Sequence, residues 1–409
     1  MIKSYYVYKI SVTAYNRVRA EKRDAQNQLL GERYGLLRYR DELDKIIGIL
    51  QVVLHNQIRD SKQARILGET LFQILFDDSL CQDFVSFYHQ ALHQENHFLR
   101  VELDIDEQQM PDVSALPWEF LCLPTNIHSG EIWLATDPKL VFSRRYLQDH
   151  ASLPIQLIPG EKVRIALAIA APNDLGPVEF DGVWTHLQDL ADKQSEYIEL
   201  LPIVNPASPT AIDDLLSQQP HIFHFIGHGR LQNEQGEAVG EIALVKQIFN
   251  TARWVNASFF SELFKRHRPG IVLLQACESG MQSDAQAFVS IASKVVKENV
   301  PVVVGMQYKI SNIAASQFAY EFYRQLGQDR PVDVAVQNSR RRLALETQYL
   351  TRDFATPVIF MRSEDGHLFK RKDIADAETE KQKPNTPQYA NNIAAFTAKG
   401  DISIENVNM

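Results

Sequence analysis

The sequence is poor in cysteine, with 3 among 409 residues. That excludes a secreted scaffold held by disulfides and points to a reducing compartment. No apolar run approaches the roughly 20 residues that cross a bilayer. The N-terminus, MIKSYYVYKISVTAYNRVRAEK, has neither the apolar core nor the small-residue cleavage site of a secretory leader. Positive charge is also short. Lys and Arg number 42 against 51 Asp and Glu, for a net charge of −9. General nucleic-acid binding needs a basic face for counterion release, so that class is disfavoured. Solenoid-period repeats are absent. Phosphate-cradling loops are poorly matched as well. Gly227-His228-Gly229 begins a G-x-G, but Gln232 stands where G-x-x-G requires glycine, and no G-x-x-x-x-G-K-[ST] occurs. The expectation is a soluble, cytoplasmic protein with no membrane association, no bound metal and no cofactor.

What is present is an ordinary globular balance, 45% hydrophobic and 23% charged. At roughly 150 residues per domain this length suggests two to three domains. A strand is predicted near Tyr5–Thr13, followed by a charged stretch from Arg17 to Lys45. Leu43, Ile46, Ile47, Leu50, Val53 and Leu54 then recur at helical spacing, and helical patterns follow at Ala64–Phe76 and Leu80–His93. Phe98–Ile105 alternates like a half-buried strand. From about Glu161, apolar strands alternate with amphipathic helices. The strands fall at Val163–Ala170, Tyr197–Val204, His221–Ile226, Ile271–Ala276, Val300–Met306 and Thr356–Met361. The pattern predicts an α/β fold with a mostly parallel sheet covered on both faces. The expected domains are 1–60, a strand and helical region; 61–154, an N-terminal helical part; 155–365, the α/β core; and 366–409, a polar linker and tail. Segment 230–256, between two of the core strands, reads as a loop that could order on activation. In the tail, Gly400–Met409 alternates Ile402 and Ile404 with polar neighbours, a candidate docking strand.

Two strand ends carry chemistry. His-Ile-Phe-His-Phe-Ile-Gly-His-Gly, residues 221–229, stops at Gly227 and sets His228 between two glycines. Ile-Val-Leu-Leu-Gln-Ala-Cys-Glu-Ser-Gly, residues 271–280, delivers Cys277 to a turn before a helix. Ligands of open α/β sheets bind beyond the carboxyl ends of strands. If these strands are neighbours, imidazole and thiol meet there. A nearby imidazolium and a following helix would both lower the thiol pKa from about 8.5. His228 would then protonate a leaving amine. The backbone N–H groups of Gly229 and Cys277 are candidate oxyanion donors. His224, inside its strand, reads as a hydrogen-bonded core histidine, and Cys81 and Cys122 read as small hydrophobes. A zinc set of His221, His224 and His228 is disfavoured, because residues three apart on a strand point to opposite faces.

These residues resemble the caspase-like (clan CD) cysteine peptidases. The separation from His228 to Cys277 is 49 residues, close to the roughly 50 of caspases. Gln275-Ala276-Cys277-Glu278-Ser279-Gly280 carries one residue more than the caspase Q-A-C-x-G pattern. It is more similar to the CHAT family, with a strand ending His-x-x-Gly-His-Gly and another ending Ala-Cys-x-Ser/Thr-Gly. Leu116-Pro117-Trp118-Glu119-Phe120-Leu121, Ser143-Arg144-Arg145-Tyr146, Val300–Gln307 and Ala355–Ile359 resemble further family segments, so the resemblance covers about Ile66–Arg362.

The resemblance implies a caspase-like sheet with an N-terminal α+β extension. His228 would be general base and acid, Cys277 the nucleophile and Gly229 an oxyanion donor. It implies a regulated endopeptidase acting on a protein partner, in a bacterial conflict or cell-death system, licensed by a separate sensor or activator protein. This chain carries no TPR-like repeat and no ATPase motif of its own. The alternative is a catalytically silent adaptor that binds a partner with the same fold. Trp118 and Phe120 read as core anchors, and Arg144 and Arg145 as ion-pair formers. A basic P1 side chain needs a buried acid. The strand end after Met306 offers Gln307 and Tyr308 instead, and Asp284 is the nearest acid, equally suited to cap a helix. These three are the candidate substrate pocket.

Overall fold

The computed structural model describes residues 3–14, 16–58, 60–127, 130–146, 152, 154–234, 237–276, 283–298 and 300–371. The chain opens with an antiparallel meander of β1 (Ser4–Ala14), β2 (Arg17–Arg23) and β3 (Leu29–Gly35). Tyr8, Ile10 and Val12 of β1 are buried, and the residues between them are not, the period of two that one covered face requires. Helices α1 (Tyr39–Leu54), α2 (Ser61–Leu75) and α3 (Asp78–Ala91) follow. The carboxylates of Asp60 and Asp77 cap α2 and α3 by accepting from the N–H groups of Gln63 and Leu80. Next come β4 (His97–Ile105), a short helix α4 (Pro111–Ser114), β5 (Cys122–Leu123), β6 (Ile132–Trp133) and β7 (Leu140–Arg145).

The second part runs β8 (Ile155–Leu157), β9 (Val163–Ile169), α5 (Asp181–Lys193), β10 (Ile198–Leu200), α6 (Pro209–Ser217) and β11 (Ile222–Gly227). Then β12 (Gly229–Glu234), β13 (Glu237–Val245) and β14 (Ala252–Asn256) form a separate antiparallel sheet. Helix α7 (Ala257–Glu262), β15 (Ile271–Ala276), α8 (Ser283–Lys297), β16 (Val302–Met306), α9 (Asn312–Gly327), α10 (Val332–Thr347), β17 (Pro357–Met361) and β18 (Phe369–Arg371) complete the series.

The main sheet has eleven strands in the order β10-β9-β11-β15-β16-β17-β7-β4-β1-β2-β3. Strands β10, β9, β11, β15 and β16 are mutually parallel. Strand β17 lies antiparallel to β16, and β7, β4 and β1 then run parallel to β17. The fold is therefore mixed α/β with a mostly parallel sheet. Its core strands are near-continuously apolar because both faces are covered. Ile222, Ile226, Ile271, Leu273, Val302 and Val304 pack on one side with α5, α9 and α10. Phe223, Phe225, Val272, Leu274 and Val303 pack on the other with α6, α7 and α8.

The sheet runs without interruption across position 154, because β7 pairs with β17. The N-terminal part is thus joined to the core by a strand ladder. Two expectations need correction. Segment 230–256 is not a loop waiting to order: it holds β12, β13 and β14. Its first strand, Gly229–Glu234, has one large apolar residue, Leu231, so it shows no apolar face in sequence. Its cover is tertiary. A Cβ at Gly240 would lie 2.7 Å from the Ala287 carbonyl oxygen of α8, so the bare glycine admits the helix. The charged stretch from Arg17 to Lys45 likewise holds β2 and β3, whose exposed face is built of ion pairs such as Arg19–Glu32. Segment 372–409, with the linker and the candidate docking strand, lies outside the described residues.

Candidate active site

Strands β11 and β15 are direct parallel neighbours, and their register pairs Gly227 with Ala276. These are the residues immediately before His228 and Cys277. Cys277 itself lies outside the described residues, as does the whole stretch 277–282. His228 is described and is 4% exposed. Its Nε2 is 2.8 Å from the Gly176 carbonyl oxygen. A carbonyl only accepts, so Nε2 carries a proton, and in the neutral ring the lone pair is on Nδ1. A backbone oxygen thereby fixes both the tautomer and the ring orientation. The loop bearing Gly176 is held in turn. The Asn173 N–H donates to the Asn250 carbonyl at 2.8 Å, and the Ala252 N–H donates to Asp174 Oδ1 at 2.7 Å.

Gly229 opens β12, opposite Ile242 of β13. The Ala243 N–H donates to the His228 carbonyl at 2.9 Å. Antiparallel ladders alternate bonded and non-bonded pairs. The Gly229–Ile242 pair is therefore non-bonded, and the Gly229 N–H points off the free edge of β12, away from β13.

The other two histidines of the 221–229 segment already have partners. His224 is fully buried, with Nε2 at 3.2 Å from Gln275 Oε1 and Nδ1 at 3.1 Å from the Tyr323 hydroxyl. His221 Nδ1 accepts the Arg164 N–H at 3.0 Å, and its Nε2 lies 3.4 Å from Glu161 Oε1. Burial depresses His224 to about 3, and burial followed by Arg164 depresses His221 to about 4. Both rings stay neutral in the folded chain, whereas unfolded histidine titrates near 6.5. Below that value the unfolded state binds more protons. Stability is therefore complete above about pH 6.5 and falls as pH drops toward 4. Each histidine contributes up to about 1.4 kcal/mol per pH unit. Urea unfolding at pH 7, 6 and 5 is expected to show this slope, and His224→Gln is expected to flatten it. A wild-type midpoint unchanged from pH 7 to 5 would refute the assignment.

Of the three pocket candidates, Gln307 and Tyr308 have described side chains, and both are buried. Asp284 falls in the first turn of α8, and its side chain is outside the described residues. Gln307 is buried. Its amide donates to Glu119 Oε2 at 2.9 Å and to the Ala355 carbonyl. Tyr308 is buried beneath the Arg352 guanidinium, 4.8 Å from its ring centre, and burial pushes its phenol pKa up. Glu119, of the Pro-Trp-Glu segment, is a hub that sequence reading missed. Its two oxygens accept from Arg144 Nε at 3.0 Å and Nη2 at 2.6 Å. Arg340 Nη2 lies 3.8 Å away, and that fully buried guanidinium also donates to the Pro357 and Phe142 carbonyls. Trp118 and Phe120 flank Glu119 as fully buried anchors, and Arg145 pairs with Glu102. Gly176 was missed for a simpler reason: a backbone carbonyl leaves no mark in a sequence.

Cys81 and Cys122 are buried free thiols. Burial raises both, Cys122 to about 12, so neither is a thiolate at neutral pH. Among the described residues no three metal-ligating side chains cluster. No described helix is long and apolar enough to cross a membrane.

No curated protein matches the chain in sequence. Among solved structures it is similar to the Saccharomyces cerevisiae separase–securin complex, at 13% identity and a TM-score of 0.44, over 90% of this chain and 30% of that one. It is also similar to the Arg-specific cysteine proteinase gingipain R, at 10% identity and a TM-score of 0.41, over 88% and 77%. A complex of Porphyromonas gingivalis RgpB pro- and mature domains matches at 12% identity and a TM-score of 0.41, over 80% and 78%. The chain thus spans less than a third of the separase chain. These likenesses are too loose to bear on activity. The sequence is far more specific: the CHAT domain model matches residues 65–400. The chain belongs to the CHAT domain family.

Proposed function

We propose that this chain is a caspase-like cysteine endopeptidase with a His228–Cys277 dyad. The observation that carries the reading is the pairing of Gly227 with Ala276, the residues immediately before His228 and Cys277, on adjacent strands about 4.8 Å apart. The orientation of His228 supports it, since Gly176 leaves Nδ1 as the base. In the proposed reaction Nδ1 takes the Cys277 thiol proton, and the thiolate attacks the scissile carbonyl carbon. The oxyanion is received by the N–H groups of Gly229 and Cys277. The tetrahedral intermediate collapses, the Nδ1 proton passes to the leaving amine, and a thioester remains. Water, deprotonated by the same Nδ1, then releases the acid and restores the thiol. Regulation by a separate activator protein, in a bacterial conflict or cell-death setting, belongs to the same proposal. It rests on the family resemblance alone, and an adjacent pore-former or sensor gene would support it.

Alkylation of the dyad thiol tests the chemistry. Cys81 and Cys122 are buried, so iodoacetamide reports on Cys277. The rate is expected to rise with pH at a midpoint below the 8.5 of free cysteine, and His228→Ala is expected to move that midpoint upward. A midpoint at or above 8.5 in both chains would favour the silent adaptor.

A further inference from the structure

Among the described residues, the three most exposed large hydrophobic side chains are Ile248 at 86%, Ile313 at 73% and Phe249 at 72%. All three lie at the end of the sheet that holds His228. Ile248 and Phe249 form the tip of the β13–β14 hairpin, and Ile313 sits in the first turn of α9, just beyond the carboxyl end of β16. Between them runs the loop after β9 that carries Gly176. One side of that loop is tied to the hairpin. Asn173 and Asn250 are joined through main chain and side chain, the latter at 3.0 Å, and Asp174 holds the Ala252 N–H. Beyond the loop's other end, Gly182 of α5 packs on α9, where a Cβ would meet Ser316 Oγ at 2.5 Å. Exposed apolar side chains elsewhere on the described surface include Ile158, which follows β8. Strand β8 packs at Gly270, the amino end of β15, and so at the opposite end of the sheet.

We infer that the Ile248–Phe249 tip, with Ile313 across the loop, is a docking rim for a polypeptide substrate. The rim would hold an unfolded or extended segment bearing large apolar side chains, outside the residues that enter the dyad. The proposal deepens the peptidase reading and rests on it for the identity of the occupant as substrate. Its chemistry follows from the placement. Apolar side chains this exposed lose water-contacting area only when a partner covers them. The staples to Asn173 and Asp174 make the tip a fixed feature relative to His228. A segment seated there is thus presented at a constant distance from the dyad, which concentrates its neighbouring peptide bonds at the site.

The test uses the full chain with Cys277→Ala, so that nothing is cut, and fluorescently labelled, reduced and carboxymethylated α-lactalbumin as an unfolded probe. Anisotropy is expected to show saturable binding. Ile248→Asp with Phe249→Asp is expected to weaken it at least tenfold, and Ile158→Asp at the far end to leave it unchanged. Circular dichroism checks that each chain is folded. No saturable binding, no change in the tip variant, or an equal loss in the Ile158→Asp chain would each overturn the rim. Digestion of the same probe by wild type reads the peptidase proposal separately. Tip-dependent binding without cleavage sinks the dyad and leaves the rim. Cleavage without tip-dependent binding does the reverse.

Discussion

A Cys277→Ala chain is expected to fold normally and to lose peptide-bond cleavage by at least about 10⁴-fold in kcat/KM. His228→Ala is expected to cost nearly as much, and the double variant little more than either alone. That non-additivity is the signature of two groups acting as one unit, because a base has nothing to activate once its nucleophile is gone. The basis is the strand register. Gly227 and Ala276, the residues immediately before His228 and Cys277, are paired on adjacent strands. His228 makes its one described side-chain hydrogen bond to a backbone carbonyl. Among the described residues no carboxylate bonds to it, so substitution of a described acidic residue is not expected to mimic the loss. Steady-state cleavage of a sensitive unfolded substrate, with unfolding curves for each variant, is the measurement. Equal cleavage by wild type and Cys277→Ala would end the proposal, and additive losses would break the dyad into independent parts.

The second large effect falls on stability. Glu119 is fully buried and is the carboxylate against which Arg144 and Arg340 are set. Removing it leaves two buried guanidinium groups with backbone carbonyls as their remaining hydrogen-bond partners. Breaking a buried pair from one side costs about 3–5 kcal/mol, because the orphaned charge keeps its desolvation penalty. Glu119→Ala is expected to cost at least that much, seen as a lower urea midpoint. Glu119→Gln keeps the shape and loses the charge, and is expected to recover only part. A change below about 1 kcal/mol in both variants would show that the hub is not held by its charge. The hub joins the 3₁₀ turn Trp118–Phe120, β7, α10 and the end of β16, so the loss is expected to be global, with no separate unfolding of the N-terminal part.

Much of the fold is legible in the sequence because its signals are local. Val163–Ala170, His221–Ile226 and Ile271–Ala276 announce strands through unbroken apolar runs, which only two-sided burial produces. Helices α2 and α3 are visible in their 3–4 spacing and their Asp caps. Strands β2, β3 and β12 are hidden because none shows a continuous or alternating apolar pattern, and their cover comes from ion pairs or from α8. The site divides in the same way. His228 and Cys277 stand out as polar residues that end apolar strands at glycine turns. Gln307 and Tyr308 share that position after β16, yet their side chains turn to Glu119 and Arg352.

The sequence by itself determined the class of fold and the family, and it named the two residues proposed to react, because periodicity and motif spacing are properties of neighbouring residues. Only the tertiary structure decided which strands lie side by side, which nitrogen of His228 is free and where Glu119 finds its cations. Those depend on contacts between segments far apart in the chain. Gly176 and His228 are 52 residues apart, and Glu119 and Gln307 are 188 apart. The scarcity of cysteine gains a physical meaning in the same way: burial holds Cys81 and Cys122 as neutral thiols, and Cys277 is the thiol to which the proposal assigns the chemistry.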